Sequence, residues 1–234
     1  MTENINDAAA APGLSAPGKG RIIYLIRHGK TEWNNQFRYQ GATDVPLNDE
    51  GRSQAERAAL RFAGAGLDAV FSSPLQRARE TAAETAGPAG MTVEVMPELT
   101  EINFGGWEGL TVPRIKERYG EELFQKWRAN PLNVQVPEGE EPELVWRRAI
   151  AAARKILQHK GRKLAVFGHG AMFRVLFPAL LAVPRSGLFW RARLDNCSIS
   201  AFSADTPDRA SLSFMNDTLH LSLDRSFIAL LPKL

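Results

Sequence analysis

Cysteine and histidine are scarce in this chain. Its 234 residues include one cysteine, Cys197, and four histidines. A single cysteine excludes an intrachain disulfide framework, and four histidines without close spacing leave no ligand set for zinc. We therefore expect a protein that binds no metal ion, and no other feature of the sequence indicates a cofactor.

Long apolar runs and a strong excess of one charge are missing as well. No hydrophobic stretch approaches the roughly 20 residues that cross a bilayer, and the N-terminal residues lack the apolar core of a signal peptide. The formal net charge is only +3, with acidic and basic residues alternating, which does not indicate a nucleic-acid-binding surface. We expect a cytoplasmic protein with neither a membrane nor a nucleic acid as its partner.

The sequence does contain enough apolar material for one large domain. Hydrophobic residues make up 44% of the chain, which is ample for a single core. Residues 1–20 are rich in Ala, Gly and Pro and predict a flexible leader. We therefore predict one domain over residues 21–234.

Extended and helical patterns alternate along this domain. Short β-branched and aromatic runs predict strands, and longer stretches with amphipathic periodicity predict helices. The predicted strands are 21–26, 163–167, 196–202 and 210–215, the last two late in the chain and near a sheet edge, and the predicted helices include 48–64 and 141–159. This alternation predicts an α/β fold, a three-layer α/β/α sandwich with a mainly parallel central sheet.

The most informative pattern is a pair of histidines, each just after a predicted strand. Arg27-His28-Gly29 follows the first strand, with Asn34 close behind it, and His169 follows the strand 163–167 between two glycines. Ligands of open α/β sheets bind beyond the carboxyl ends of the strands, so we expect both histidines at one site. A largely neutral imidazole can use one ring nitrogen as a nucleophile towards phosphorus.

A further guanidinium is predicted at the same site. Ser73 ends a short strand, Pro74 suits the first turn of a helix, and Arg77 then projects from that turn. Helix N-termini attract anions, and a guanidinium offers two parallel hydrogen bonds to phosphate oxygens. A second helix, 171–181, follows His169 and would add its dipole.

Glutamates supply the candidate for proton transfer. Releasing an alcohol from a phosphate ester needs a group that protonates the leaving oxygen and later deprotonates water. Residues 99–109 contain three glycines and two aromatic residues, which is typical of a shaped loop. In this loop Glu101 is the first choice and Glu108 the second, although either could instead be a solvated or loop-capping carboxylate.

Together these residues resemble the histidine phosphatase superfamily, in its phosphoglycerate mutase-like branch with the Arg-His-Gly signature. The resemblance covers about residues 21–203. It rests on five separated segments in the right order, Arg27-His28-Gly29, Asn34, Arg77, Glu101 and His169. It implies a phosphoglycerate mutase-like fold and a two-step reaction without metal, in which His28 attacks phosphorus and water then releases inorganic phosphate.

The resemblance also implies the site residues. The catalytic residues would be His28, Glu101, His169, Arg27 and Arg77, and the substrate-binding residues would be Arg27, Asn34, Gln40, Gly41, Arg77 and Gly170. The arginines, the amide and the second histidine would stabilise the phosphoryl oxygens, while the glutamate would act as acid and then as base. The tract 37–48 resembles the broad-specificity and α-ribazole phosphatases.

The family contains both mutases and hydrolases. Similar mutases carry Glu-Arg-His-Tyr-Gly around the proton donor, whereas here Ile102 and Phe104 replace the arginine and the tyrosine, and Val112 replaces a substrate-binding lysine. Only 68 residues separate Glu101 from His169, which leaves less chain to cover the site and exclude water. We therefore predict a phosphatase for a small phosphorylated metabolite, with a cofactor-dependent phosphoglycerate mutase as the alternative.

Several points stay open in the sequence. Lys30 stands where the family more often has an acidic or amide residue, and it receives no role. Residues 111–130 predict a basic helix over the site whose charges could contact the far end of the substrate. A catalytically silent module that binds a phosphorylated ligand is the alternative from another functional class. The resemblance allows a homodimer, although no face in the sequence identifies one.

Overall fold

The computed structural model describes residues 20–185, 188–206, 208–232 and 234. The predicted leader therefore lies outside the described residues, except for Gly20. The strands are β1 (Arg21–Arg27), β2 (Ala69–Ser72), β3 (Val93–Val95), β4 (Lys163–Gly168), β5 (Ile199–Ala204) and β6 (Ser211–Asp217). They form one sheet in the order β3-β2-β4-β1-β5-β6.

Helices connect and cover these strands. They are α1 (Glu32–Asn35), α2 (Asp49–Phe62), α3 (Gln76–Ala86), α4 (Val112–Tyr119), α5 (Glu121–Ala129), α6 (Pro142–Gln158), α7 (Gly170–Leu181), α8 (Leu219–Ser222) and α9 (Arg225–Ile228). Among the described ranges, no helix is both long and apolar enough to cross a membrane.

The sheet is mainly parallel. β3, β2, β4 and β1 run in the same direction, whereas β5 is antiparallel to both of its neighbours, β1 and β6. The predicted α/β class is therefore confirmed. Of the two late strands only β6 lies at the edge, because β5 pairs on both sides.

Side chains of the central strand alternate between two apolar layers. Ile23 and Leu25 of β1 pack in the larger cluster together with α6 and α7, whereas Tyr24 and Ile26 pack in the smaller cluster with α2 and α3. Both faces of β1 are thus buried, which explains why its sequence is continuously apolar. The two layers confirm the predicted three-layer sandwich.

Two local predictions are wrong. The predicted helix 111–130 is two helices, α4 and α5, because Gly120 between them has a φ of 91° that helical backbone does not adopt. Pro74 is not in the first turn of α3, since the helix begins two residues later at Gln76. Arg77 nevertheless lies in that first turn, as predicted.

Candidate active site

The register of two parallel strands brings the predicted histidines together. Arg27 of β1 is paired with Gly168 of β4, so His28 and His169 leave the sheet side by side. The backbone N–H of His28 donates to the carbonyl of Gly168 at 2.9 Å, and the two imidazole centroids are 5.2 Å apart. One end of the sheet thus holds both rings, as the sequence predicts.

A hydrogen bond defines the tautomer of His28. Its Nδ1 lies 2.6 Å from the carbonyl oxygen of Gly29. A carbonyl only accepts, so Nδ1 carries the proton and Nε2 keeps the lone pair. Burial, and then the charges of Arg77 and Arg27, hold the pKa of His28 well below its usual value near 6.5. The ring is therefore neutral at physiological pH, with Nε2 available for attack.

His169 is neutral for the same reasons. Burial, followed by the positive charge of Arg77, holds its pKa well below the usual range. Its Nε2 lies 2.7 Å from Oγ of Ser73, which follows β2 on the other side of β4. Sequence reasoning noted this serine only as the end of a strand, and missed it as the partner of the second histidine.

Two guanidinium groups supply the positive charge of the site. Arg77 is fully buried and donates from Nη1 to the carbonyl of Thr43 and from Nη2 to that of Gly41, both at 2.8 Å. Arg27 donates from Nη1 to the carbonyl of Leu194 at 2.6 Å. Burial lowers the pKa of each arginine to about 10, so both remain charged near neutral pH. In each of them Nε is buried without a hydrogen-bond partner among the described residues.

The loop before β5 holds the backbone of the predicted nucleophile. The N–H of Cys197 donates to the carbonyl of His28 at 3.2 Å, and Asn196 Nδ2 donates to the same carbonyl at 3.1 Å. Asn196 Nδ2 also lies 3.3 Å from Oδ1 of Asn34. Sequence reasoning missed Asn196, because 162 residues separate it from Asn34 and its own segment predicts only a strand. Cys197 is buried, and burial raises the pKa of its thiol.

The structure separates the two candidate glutamates. Oε1 of Glu101 accepts from the N–H of Met172 at 2.7 Å, and Oε2 accepts from that of Ala171 at 3.0 Å, so this carboxylate lies at the N-terminus of α7 beside His169. Glu108 instead accepts from the backbone of the loop after Gln40, at Ala42 and Thr43. Glu101 also lines the cavity described below, whereas Glu108 is a loop-capping carboxylate.

The predicted substrate-binding residues border one cavity of about 790 Å³. Its inner end is lined by Arg27, His28, Asn34, Gln40, Gly41, Arg77, Glu101 and Gly170. His169 is fully buried behind this surface. The structure therefore brings the predicted site residues together, and their individual roles stay predictions.

The outer part of the same cavity is largely aromatic and apolar. It is lined by Phe37, Tyr39, Phe104, Val112, Trp127, Phe189 and Trp190, with Lys30, Arg38 and Arg174 among them. Sequence reasoning missed Arg174 and the two aromatic residues at 189 and 190. Arg174 could have been found, since it lies four residues after Gly170 on one face of the predicted helix.

The basic charges of α4 and α5 do not reach this cavity. From these helices only Val112 and Trp127 are among its described lining residues. The basic side chains instead contact nearby groups, in the pairs Arg114–Glu117, Lys116–Glu121 and Lys126–Glu122, with Arg118 over the ring of Tyr119 and Arg128 over that of Trp190. None of these basic side chains is among the described lining residues, and the expectation that one of them contacts the far end of the substrate stays a prediction.

No metal centre is evident in the described part of the chain. Nowhere in those ranges do three or more His, Cys, Asp or Glu side chains form a group that could hold a metal ion.

Comparison with known proteins gives a consistent family. A family model described as the histidine phosphatase superfamily, branch 1, matches residues 23–218. Phosphoserine phosphatase 1 of Hydrogenobacter thermophilus is 32% identical over 200 residues, 85% of this chain and 93% of that protein. A probable phosphoglycerate mutase GpmB of Yersinia pestis is 34% identical over 207 residues, 86% of this chain and 95% of that protein. The chain also spans 59% of the length of several mycobacterial relatives.

A solved structure agrees with these sequence matches. The crystal structure of a putative alpha-ribazole-5'-P phosphatase from Escherichia coli superposes with a TM-score of 0.77 at 26% identity, covering 84% of this chain and 96% of the other.

Proposed function

The chain belongs to branch 1 of the histidine phosphatase superfamily and is a phosphoric monoester hydrolase of that type, and we propose that it hydrolyses a small phosphorylated metabolite through a phosphohistidine intermediate, without a metal ion. The observation that carries this proposal is the His28 tautomer. Nδ1 donates to the Gly29 carbonyl at 2.6 Å, and Nε2 is the ring nitrogen left for attack.

In the first step, Nε2 of His28 forms a bond to phosphorus as the bond from phosphorus to the alcohol oxygen breaks. Arg27 and Arg77 hold the phosphoryl oxygens, and their charges offset the negative charge of the transferring group. Glu101 gives a proton to the leaving alcohol oxygen, which departs as the free alcohol. His169 is neutral, with its ring 5.2 Å from that of His28. Its Nε2 is engaged with Ser73, so Nδ1, which has no partner among the described residues, is the nitrogen that donates to the phosphoryl group.

In the second step, water attacks the phosphohistidine. Glu101 takes a proton from this water, the bond from phosphorus to Nε2 breaks, and inorganic phosphate leaves. The histidine returns with its lone pair on Nε2 and the glutamate returns protonated, so the cycle closes without a metal ion or an external acid.

Hydrolysis is favoured over mutase activity by the walls of the cavity. Phe104 and Val112 stand where similar mutases carry a tyrosine and a lysine, and both line this cavity as apolar side chains. An apolar side chain offers no hydrogen bond to a carboxylate or a second phosphate. The similarity to a probable phosphoglycerate mutase keeps the mutase as the second candidate.

The test is phosphate release from a panel of phosphorylated metabolites in the presence of a chelator. We expect release by the wild type and by the control His159→Ala, since His159 directly follows α6 and does not line the cavity. We expect no release by His28→Ala. Brief reaction with ³²P-labelled substrate, followed by alkaline denaturation, should leave label on His28.

Four results would contradict the proposal. Activity lost on chelation would refute metal independence, and full activity of His28→Ala would refute the assignment of the nucleophile. Efficient interconversion of 2- and 3-phosphoglycerate would favour the mutase. Tight binding of phosphorylated ligands without release would favour a silent binding module.

A further inference from the structure

Arg174 is a positively charged residue of the cavity wall to which the proposed reaction assigns no role. Arg27 and Arg77 belong to the phosphate end, and Nζ of Lys30 is paired with Glu50 at 2.6 Å. Arg38 is exposed on the outer rim. Arg174 is half-buried on the cavity wall, and among the described residues it forms no ion pair with a carboxylate.

The guanidinium of Arg174 is held in a fixed orientation. Its Nε donates to the carbonyl of Ala192 at 2.9 Å, and its central carbon lies 5.8 Å from the ring centroid of Phe189 and 5.6 Å from that of Trp190. Neither Nη atom has a hydrogen-bond partner within the described ranges. A guanidinium held in this way presents two parallel N–H donors, the geometry that matches a carboxylate.

Its position on α7 places it beside the leaving group. Gly170, Ala171 and Arg174 line the cavity from one face of this helix. Arg174 lies about 6 Å along the helix axis from Gly170, at 1.5 Å per residue. The N–H of Ala171 donates to Glu101, the proposed proton donor to the leaving oxygen. A substrate alcohol that extends along this wall of the cavity would meet Arg174 one helical turn after Gly170.

We propose that Arg174 binds a carboxylate on the alcohol part of the substrate, so that the substrate is the phosphate monoester of a hydroxy acid. This inference rests on the proposed phosphatase function and names the class of alcohol that the site accepts. Phe104, Val112 and Trp190 on the cavity wall pack against the carbon skeleton between the two anionic groups. Partial burial of Arg174 strengthens the ion pair, because less water competes for it.

Aryl phosphates that differ in a single group test the carboxylate contact. The wild type is assayed with phenyl phosphate, 3-carboxyphenyl phosphate and 3-carbamoylphenyl phosphate, in which the neutral amide replaces the carboxylate at equal size. We expect kcat/KM about 10-fold to 100-fold higher for the carboxylate than for the amide, as charge-assisted hydrogen bonds imply. In Arg174→Gln this ratio should fall to about one.

Two further variants separate charge from structure. Arg174→Lys keeps the charge without the paired donors and should retain part of the preference. Arg128→Gln is the matched control, because Arg128 also lies over Trp190, at 5.5 Å, but does not line the cavity, and its preference should equal that of the wild type. An unchanged ratio in Arg174→Gln, or an equal loss in Arg128→Gln, would overturn the proposal.

A binding measurement keeps this inference distinct from the proposed function. Calorimetry compares 3-carboxybenzylphosphonate with 3-carbamoylbenzylphosphonate, which are not turned over. Tighter binding of the carboxylate, lost in Arg174→Gln, supports the inference even if no phosphate ester is hydrolysed. If the two phosphonates bind equally and phenyl phosphate is hydrolysed normally, the proposed role of Arg174 is refuted. The proposed phosphatase function is then unaffected.

Discussion

Gly41 contacts both Arg77, a proposed phosphate-binding residue, and the loop-capping Glu108, so replacing it by alanine tests how this end of the site is built. Its φ is +54°, and an added β-carbon would lie 1.9 Å from Oε1 of Glu108. Its carbonyl accepts the hydrogen bond from Nη2 of Arg77 at 2.8 Å. We expect Gly41→Ala to lower both the free energy of unfolding and the activity.

The size of the effect follows from two contributions. An alanine held in the left-handed region costs about 1–2 kcal/mol. Oε1 of Glu108 must also move, and it accepts from the N–H of Ala42 at 2.8 Å and from that of Phe104 at 3.0 Å. Hydrogen bonds to a charged group are worth about 1.5–3 kcal/mol each, so the total loss should reach about 4 kcal/mol.

Gly64→Ala is the matched control. Gly64 has a φ of +75° but nothing within 4 Å of an added β-carbon, so only the conformational contribution of about 1–2 kcal/mol applies. Urea unfolding measures both losses, and phosphate release shows whether kcat/KM falls at least tenfold in Gly41→Ala alone.

Adding Glu108→Ala to Gly41→Ala removes the clash, so the two changes should couple by more than about 1 kcal/mol. Equal losses at the two glycines, or additive effects in the double variant, would refute the reasoning.

Three further predictions concern protons. Burial lowers the pKa of His220 to about 4, so the unfolded chain binds more protons below pH 6.5 and the fold loses stability as the pH falls. His220→Leu should reduce the loss of unfolding free energy between pH 7 and pH 5 by about 2 kcal/mol, and an unchanged loss in urea titrations would contradict this. Because the pKa of His28 is well below 6.5, ¹⁵N NMR should show its neutral Nδ1–H tautomer at pH 6, whereas a midpoint near 6.5 would be inconsistent with the burial described. Glu101→Gln should lower kcat/KM by about 10²–10⁴ for alkyl phosphates and far less for 4-nitrophenyl phosphate, whose leaving group needs little protonation; equal losses would remove Glu101 as the acid.

The inner end of the site could be predicted because each residue follows a strand or opens a helix. His28 and His169 come directly after β1 and β4, and Arg77 lies in the first turn of α3. The rule that ligands bind beyond the carboxyl ends of strands then places them together, although 141 residues separate the two histidines. Placing these residues together did not require the order of the strands in the sheet to be predicted.

The outer end could not be predicted in the same way. Phe189 and Trp190 lie in a segment without helical or strand periodicity, so their place on the cavity wall depends on tertiary packing. The sequence could not show that Glu108 caps a loop instead of transferring protons, since its hydrogen-bond partners lie 65 and 66 residues away. Gly120 is the local signal for the break between α4 and α5, and the helix predicted over residues 111–130 did not take it into account.

Electrostatics links anion binding to the proposed nucleophile. Before substrate binds, the charges of Arg77 and Arg27 add to burial and keep His28 unprotonated, so Nε2 has its lone pair. In the proposed phosphohistidine, Nε2 is bonded to phosphorus, and the ring keeps its Nδ1 proton and is cationic. The Gly29 carbonyl, 2.6 Å from Nδ1, then stabilises this charge, while the phosphoryl oxygens offset the two guanidinium groups. The same arginines that disfavour a proton on Nε2 therefore favour a phosphoryl group there. The reason is that a proton adds positive charge to the site, whereas the phosphoryl group adds negative charge.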